Sequence, residues 1–119
     1  MEVLDSRQQT LKVLEDARAL IAPPYAWARG TFSQSSPRAP KGIAFCAMGA
    51  IDEAGRGFSL YVVHRAGNEL AKCVPDDLVP TDAGARKVTH FNDHQAKGKE
   101  DVLKVFDCAI ENVKGQGSG

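Results

Sequence analysis

The stretch from Gly42 to Ile51, Gly-Ile-Ala-Phe-Cys-Ala-Met-Gly-Ala-Ile, carries no charge and no strongly polar side chain on any face. A segment of that kind has to be enclosed by protein, because any face turned to water exposes hydrocarbon. Periodicity does not separate a buried helix from a buried strand over so short a run. Composition favours helix: Ala44, Ala47, Met48 and Ala50 are helix formers, and only Ile43 and Ile51 are β-branched. The reading is therefore a central apolar helix over residues 42–53, ended by Gly55 and Gly57 after Asp52 and Glu53 return the chain to water. Cys46, Gly49 and Ala50 share one small-residue face, which would let a neighbouring helix approach closely.

Three further segments carry a helical stripe. Asp5 or Ser6 is an N-cap, with Gln8 or Gln9 as capping-box partner, ahead of Leu11, Leu14, Ala17 and Ile21. Pro23 and Pro24 end that helix. Leu60, Val63, Gly67, Leu70 and Val74 recur at helical spacing behind Ser59 as cap, and this extended window favours helix over a strand at Phe58–Val63. Val102, Leu103, Val105, Phe106, Ala109, Ile110 and Val113 form the broad stripe of the last helix, with Glu100 and Asp101 at its N-terminal end. The expected fold is all-α: one small domain, residues 1–114, of about four helices packed around the apolar helix at 42–53, with a flexible tail at 115–119.

Between the helices, Trp27 and Phe32 are large anchors, and Ser33–Lys41 is a surface loop. Arg29, Arg38 and Lys41 make an acid-free basic stretch suited to an anion or a partner. Pro75 to Arg86 reads as a long polar loop, which in a small domain is functional or mobile.

Charge excludes several function classes. Fifteen basic residues balance fifteen acidic ones over 119 residues, so no global field draws in nucleic acid or an anionic membrane. The charged first twenty residues leave no apolar core for a signal peptide, and no uncharged run approaches a membrane span. These features predict a cytoplasmic protein without a membrane partner. Cys46, Cys73 and Cys108 are an odd number, without Cys-x-x-Cys or zinc-finger spacing, and read as free buried thiols rather than a disulfide framework.

Two places could carry chemistry. Thr89-His90-Phe91-Asn92-Asp93-His94 is polar, and its two histidines would share a helical face, which with Asp93 supplies metal-ligand types. Asn-Asp is equally a turn and capping pair, so a hydrogen-bonded corner beside Phe91 explains the same letters, and no metal is assigned. Cys46 falls in the first turn of the central helix, the end that lowers a thiol pKa. If His90, Asn92 and Asp93 folded over it, a thiol, a base and an orienting group would meet. Its apolar surroundings instead favour an inert thiol. No phosphate loop, dinucleotide fingerprint or nucleophile elbow is present, and no cofactor is expected.

Trp27-x-x-Gly30, then Phe45-Cys46-Ala47-Met48-Gly49-Ala50, then Phe91-Asn92-Asp93, and a last helix with Glu100-x-Val102-Leu103 and Asp107-x-Ala109-Ile110 together resemble an uncharacterised family of small bacterial and bacteriophage domains. The resemblance runs from about Leu11 to Val113. That family has Trp before the Cys and before the Asn-Asp, where this chain has Phe45 and Phe91. The resemblance implies that Trp27, Gly30, Cys46, Gly49, Asn92 and Asp93 belong to one shared core or site, and it brings no activity with it. The functional expectation is a non-catalytic binding or protein-interaction module, with a protein or small ligand as partner and Trp27, Asn92 and Asp93 as candidate ligand contacts. The alternative is a small cysteine-dependent hydrolase or transferase using Cys46 with His90, Asn92 and Asp93.

Overall fold

The computed structural model describes residues 4–75 and 84–116. The chain is predominantly helical: α1 (Ser6–Ile21), α2 (Ala47–Ala54), α3 (Leu60–Cys73), α4 (Gly84–His90) and α5 (Lys99–Gln116), with a π-helical turn over Phe91–Gln95. A short antiparallel ribbon of β1 (Ser33–Ser35) and β2 (Ile43–Phe45) lies between α1 and α2.

α1 begins as its sequence dictates, with the Asp5 carboxylate accepting from the Gln8 N–H and the Gln8 side chain accepting from the Asp5 N–H. Its far end is closed from a distance. Lys99 donates its ammonium to the carbonyls of Ala22 at 2.7 Å and Pro23 at 3.2 Å, a cation where the helix dipole is negative. α1 and α5 are joined across the surface by Arg18, whose guanidinium holds both Asp107 oxygens at 2.6 and 3.3 Å.

α2 is the centre of the molecule. Ala47, Met48, Gly49, Ala50 and Ile51 are all buried, and the helix packs against α1, α3 and α4. It is shorter than the sequence suggests, because residues 43–45 are strand rather than the first turn of a helix. The reason lies outside the segment: Phe45 N–H donates to the Ala26 carbonyl and the Phe45 carbonyl accepts from Ala28 N–H, while β1 pairs on the other edge with Ser33 opposite Phe45. Extended partners on both sides satisfy the backbone of 43–45 without a helix. The small face of α2 also meets something other than a helix. A Cβ on Gly49 would stand 2.0 Å from the Phe32 carbonyl oxygen, so it is the backbone at Phe32 that crosses there.

α3 starts on the Ser59 cap, but its buried face is Val62, Ala66, Gly67, Glu69 and Leu70, and Leu60 is 75% exposed. Buried Glu69 forms an ion pair with Lys72 at 3.3 Å, and its other oxygen accepts a hydrogen bond from the Gln116 side chain at 2.9 Å. Phe32, expected as an anchor, is 55% exposed. Most of the expected loop at Pro75–Arg86 falls outside the described residues, and its last part, from Gly84, is already helix α4. Of the tail expected at 115–119, Gly115 and Gln116 still belong to α5, and residues 117–119 lie outside the described residues.

The cysteine expectation is corrected. Cys73 at the end of α3 and Cys108 on α5 are disulfide-bonded, with Cα atoms 6.0 Å apart, and only Cys46 is free. The packing of α3 on α5 brings together two positions 35 residues apart, which no local spacing announces.

Candidate functional site

Thr89 and His90 end α4, and the chain then widens into the π turn, where the Ala96 N–H donates to the Phe91 carbonyl at 2.8 Å, five residues back. Of the two readings of Thr89–His94, a helical face or a turn, the backbone adopts the helical one throughout. Single π turns of this kind recur at functional sites. Here the turn carries Asn92, which is wholly buried.

Asn92 is the junction of three chain segments. Its Oδ1 accepts from the Trp27 indole N–H at 2.7 Å and from the Ala47 N–H at 3.1 Å. Its Nδ2 donates to the Ala28 carbonyl at 3.0 Å and to Asp93 Oδ1 at 2.9 Å. An amide side chain has two acceptor and two donor positions, and all of them are taken. Asp93 Oδ1 accepts in addition from the Gly30 N–H at 2.8 Å, and Arg29 donates to the Ala96 carbonyl while its guanidinium stands 4.9 Å from the centre of the Trp27 ring. Gly30 has φ +82°, a left-handed conformation that a side chain would strain. Residues 27–30 are therefore laced to residues 92–96 from end to end.

Cys46 is the N-cap of α2 rather than a residue inside its first turn. Its Sγ accepts from the Gly49 N–H at 3.3 Å, while its own N–H donates to the Phe32 carbonyl at 3.1 Å. The first backbone donors of α2 are thus satisfied by two side chains, Ala47 by Asn92 and Gly49 by Cys46. Burial pushes the thiol pKa above its ordinary 9.0, against the lowering effect of the Gly49 and Met48 amides, and the negative charges of Asp93 and Asp52 push it further up. At 1% exposure the thiol is sealed.

The structure thus brings Trp27, Gly30, Cys46, Gly49, Asn92 and Asp93 around one corner and leaves His90 outside it. His90 is exposed and lies against His94, ring centres 5.0 Å apart. Among the described residues no group of three or more His, Cys, Asp or Glu converges on a point where a metal could be held.

Residues 5–112 match the model of a family of unknown function, DUF6197. The chain belongs to that family. No curated protein and no solved structure matches it. The DUF6197 match spans the whole corner and both bridged cysteines.

In this DUF6197 chain one bulky residue departs from ordinary backbone geometry. Tyr25 has φ +65°, a left-handed conformation that costs a bulky residue about 1–2 kcal/mol. It is held by the Ser36 hydroxyl, which donates to the Tyr25 carbonyl at 2.5 Å, and the ring is 58% exposed with the Arg38 guanidinium 5.3 Å from its centre. The advance signal is Pro23-Pro24, which ends α1 just ahead of it. No helix among the described residues is long and apolar enough to cross a membrane.

Proposed function

We propose that this protein is a non-catalytic interaction module, with the Trp27–Cys46–Asn92 corner serving as the clasp that holds its binding layer in shape. The observation that carries this reading is the saturation of Asn92: every polar position of its amide is spent on the chain itself, and the neighbouring thiol is sealed and protonated at neutral pH. A cysteine hydrolase needs an open thiolate and a base beside it. His90, the base that reading would use, is exposed, whereas the Cys46 thiol is buried.

The clasp fixes the segment from Tyr25 to Phe45, and this segment presents Tyr25, Phe32 and Ile43 at 58%, 55% and 43% exposure. From Ala17 to Ile51 the chain contains no acidic residue, and Arg38 and Lys41 are exposed beside Tyr25 and Ile43. Strained, exposed aromatics cluster at binding sites. The partner that fits is an acidic protein segment bearing an apolar side chain. A bacterial or phage accessory setting in the cytoplasm suits such a module, and in that compartment the Cys73–Cys108 bridge has to be an exchangeable one.

The test is selection from a displayed peptide library at moderate salt. Enrichment of Asp- and Glu-rich peptides with one aromatic or aliphatic anchor, lost in Tyr25→Ala and in Arg38→Glu, is the expected result. Enrichment of basic peptides, or binding indifferent to both substitutions, contradicts it.

A further inference from the structure

The bridge between α3 and α5 presents its two sulfurs differently. Cys108 is exposed and Cys73 half-buried. Cys73, unlike Cys108, also lines a cavity of about 580 Å³ together with Phe91, Gln95, Asp101, Lys104 and Val105. One turn beyond Cys108, Asn112 sets its Nδ2 beside both sulfurs, 3.5 Å from Cys73 and 3.8 Å from Cys108. We propose that Cys73–Cys108 is a reversible thiol-exchange site whose cavity receives a low-molecular-weight thiol bearing a carboxylate.

Exchange needs access for the attacking sulfur and stabilisation of the one that leaves. The cavity supplies the first at Cys73. Solvent supplies the second at exposed Cys108, whose thiolate would be hydrated where a buried one would not, while the Asn112 amide stands beside both sulfurs. The size suits a ligand of a few residues. Its walls carry one charge of each sign: the Lys104 ammonium is exposed and has no ion pair among the described residues, and the Asp101 carboxylate accepts from the neutral Lys97 N–H at 2.9 Å and keeps its charge. A thiol whose carboxylate meets Lys104 and whose ammonium meets Asp101 fits both. Gln95 adds a buried Oε1 without a hydrogen-bond partner among the described residues, and Phe91 and Val105 offer apolar surface to the ligand's carbon chain.

The ligand thiolate attacks Cys73 Sγ, forming a ligand–Cys73 mixed disulfide while the Cys73–Cys108 bond breaks. The electron pair goes to Cys108 Sγ, which leaves as a thiolate and takes a proton from water. A second ligand thiolate then attacks the ligand sulfur of the mixed disulfide and releases Cys73, also protonated by water. Two ligand thiols become one ligand disulfide, and the protein bridge gains two electrons and two protons. Residues 74–107 between the cysteines include α4, the π turn and Asn92, so opening the bridge unties the segment that carries the clasp.

The experiment uses the full-length oxidised protein at neutral pH, incubated in parallel with glutathione and with uncharged 2-mercaptoethanol, quenched by alkylation and mapped by peptide mass. The expected result is a glutathione adduct on Cys73 while Cys46 stays unalkylated, which shows that the fold is intact. Lys104→Ala should slow the glutathione reaction about two- to fivefold relative to the 2-mercaptoethanol reaction, the effect of losing one partly exposed ion pair. Bridge opening only when Cys46 is alkylated too, an adduct on Cys108 alone, or equal slowing of both thiols by Lys104→Ala would overturn the proposal.

Discussion

The Trp27 indole donates to Asn92 Oδ1 at 2.7 Å across 65 positions of sequence, and the same oxygen accepts the first N–H of the central helix. One amide thus ties the start of the irregular layer, the π turn and the start of α2. Replacing Asn92 by Ala leaves the Trp27 indole, the Ala47 N–H and the Ala28 carbonyl without their partner in a buried corner. The expected loss is about 3 kcal/mol or more in urea unfolding. In a double-mutant cycle with Trp27→Phe, a coupling of about 1 kcal/mol should remain. Additive losses would mean that the two side chains do not act together.

Gly49→Ala should destabilise, although alanine is the better helix former by about 1 kcal/mol. The added Cβ meets the Phe32 carbonyl oxygen at 2.0 Å, a backbone atom held by its hydrogen bond from Cys46. Overpacking of this kind costs about 1–3 kcal/mol. A variant more stable than the parent would show that the backbone at Phe32 does not cross α2 there.

Tyr25 offers a test of strain. At φ +65° glycine is at ease and alanine is not, so Tyr25→Gly should exceed Tyr25→Ala in stability by about 1 kcal/mol. Equal stability, or the reverse order, would remove the strained presentation of this ring.

The helices at α1, α3 and α5 were legible because their signals are local: a capping box at Asp5 and Gln8, a serine cap at Ser59, and a stripe of apolar residues that each helix carries within itself. The strand at Ile43–Phe45 was not, since what makes it extended is pairing with residues 26–28 and 33–35, and its own letters suit a helix. The same applies to Cys73 and Cys108, whose pairing follows from how α3 lies on α5. At the corner, the sequence supplied the residue types at Cys46, Asn92 and Asp93, but the four partners of Asn92 come from segments far apart in the chain. His90 shows the opposite error, a residue of suitable chemistry whose helix turns it to solvent.

Alkaline pH should separate Cys46 from the other titrating groups. Its pKa in the folded protein is raised above the ordinary 9.0, chiefly by burial. Below that value the thiol is protonated in folded and unfolded chains alike, and its contribution is fully present. As the pH rises past it, the unfolded chain releases the proton while the folded one retains it, so stability falls. Cys46→Ala should lack this part of the decline, at the expense of the cap to Gly49, about 1 kcal/mol at neutral pH. Parallel stability curves for parent and variant through the alkaline range would show that the thiol is not buried as described.

The most direct measurement is the alkylation rate of Cys46 in the oxidised, native protein, where the other two cysteines are bridged and cannot react. A sealed cap in a saturated corner predicts labelling that is slow at neutral pH and accelerates with denaturant in step with unfolding. Fast labelling of the folded protein at neutral pH, slowed by replacing His90 or Asp93, would contradict the interaction-module account and make Cys46 a nucleophile.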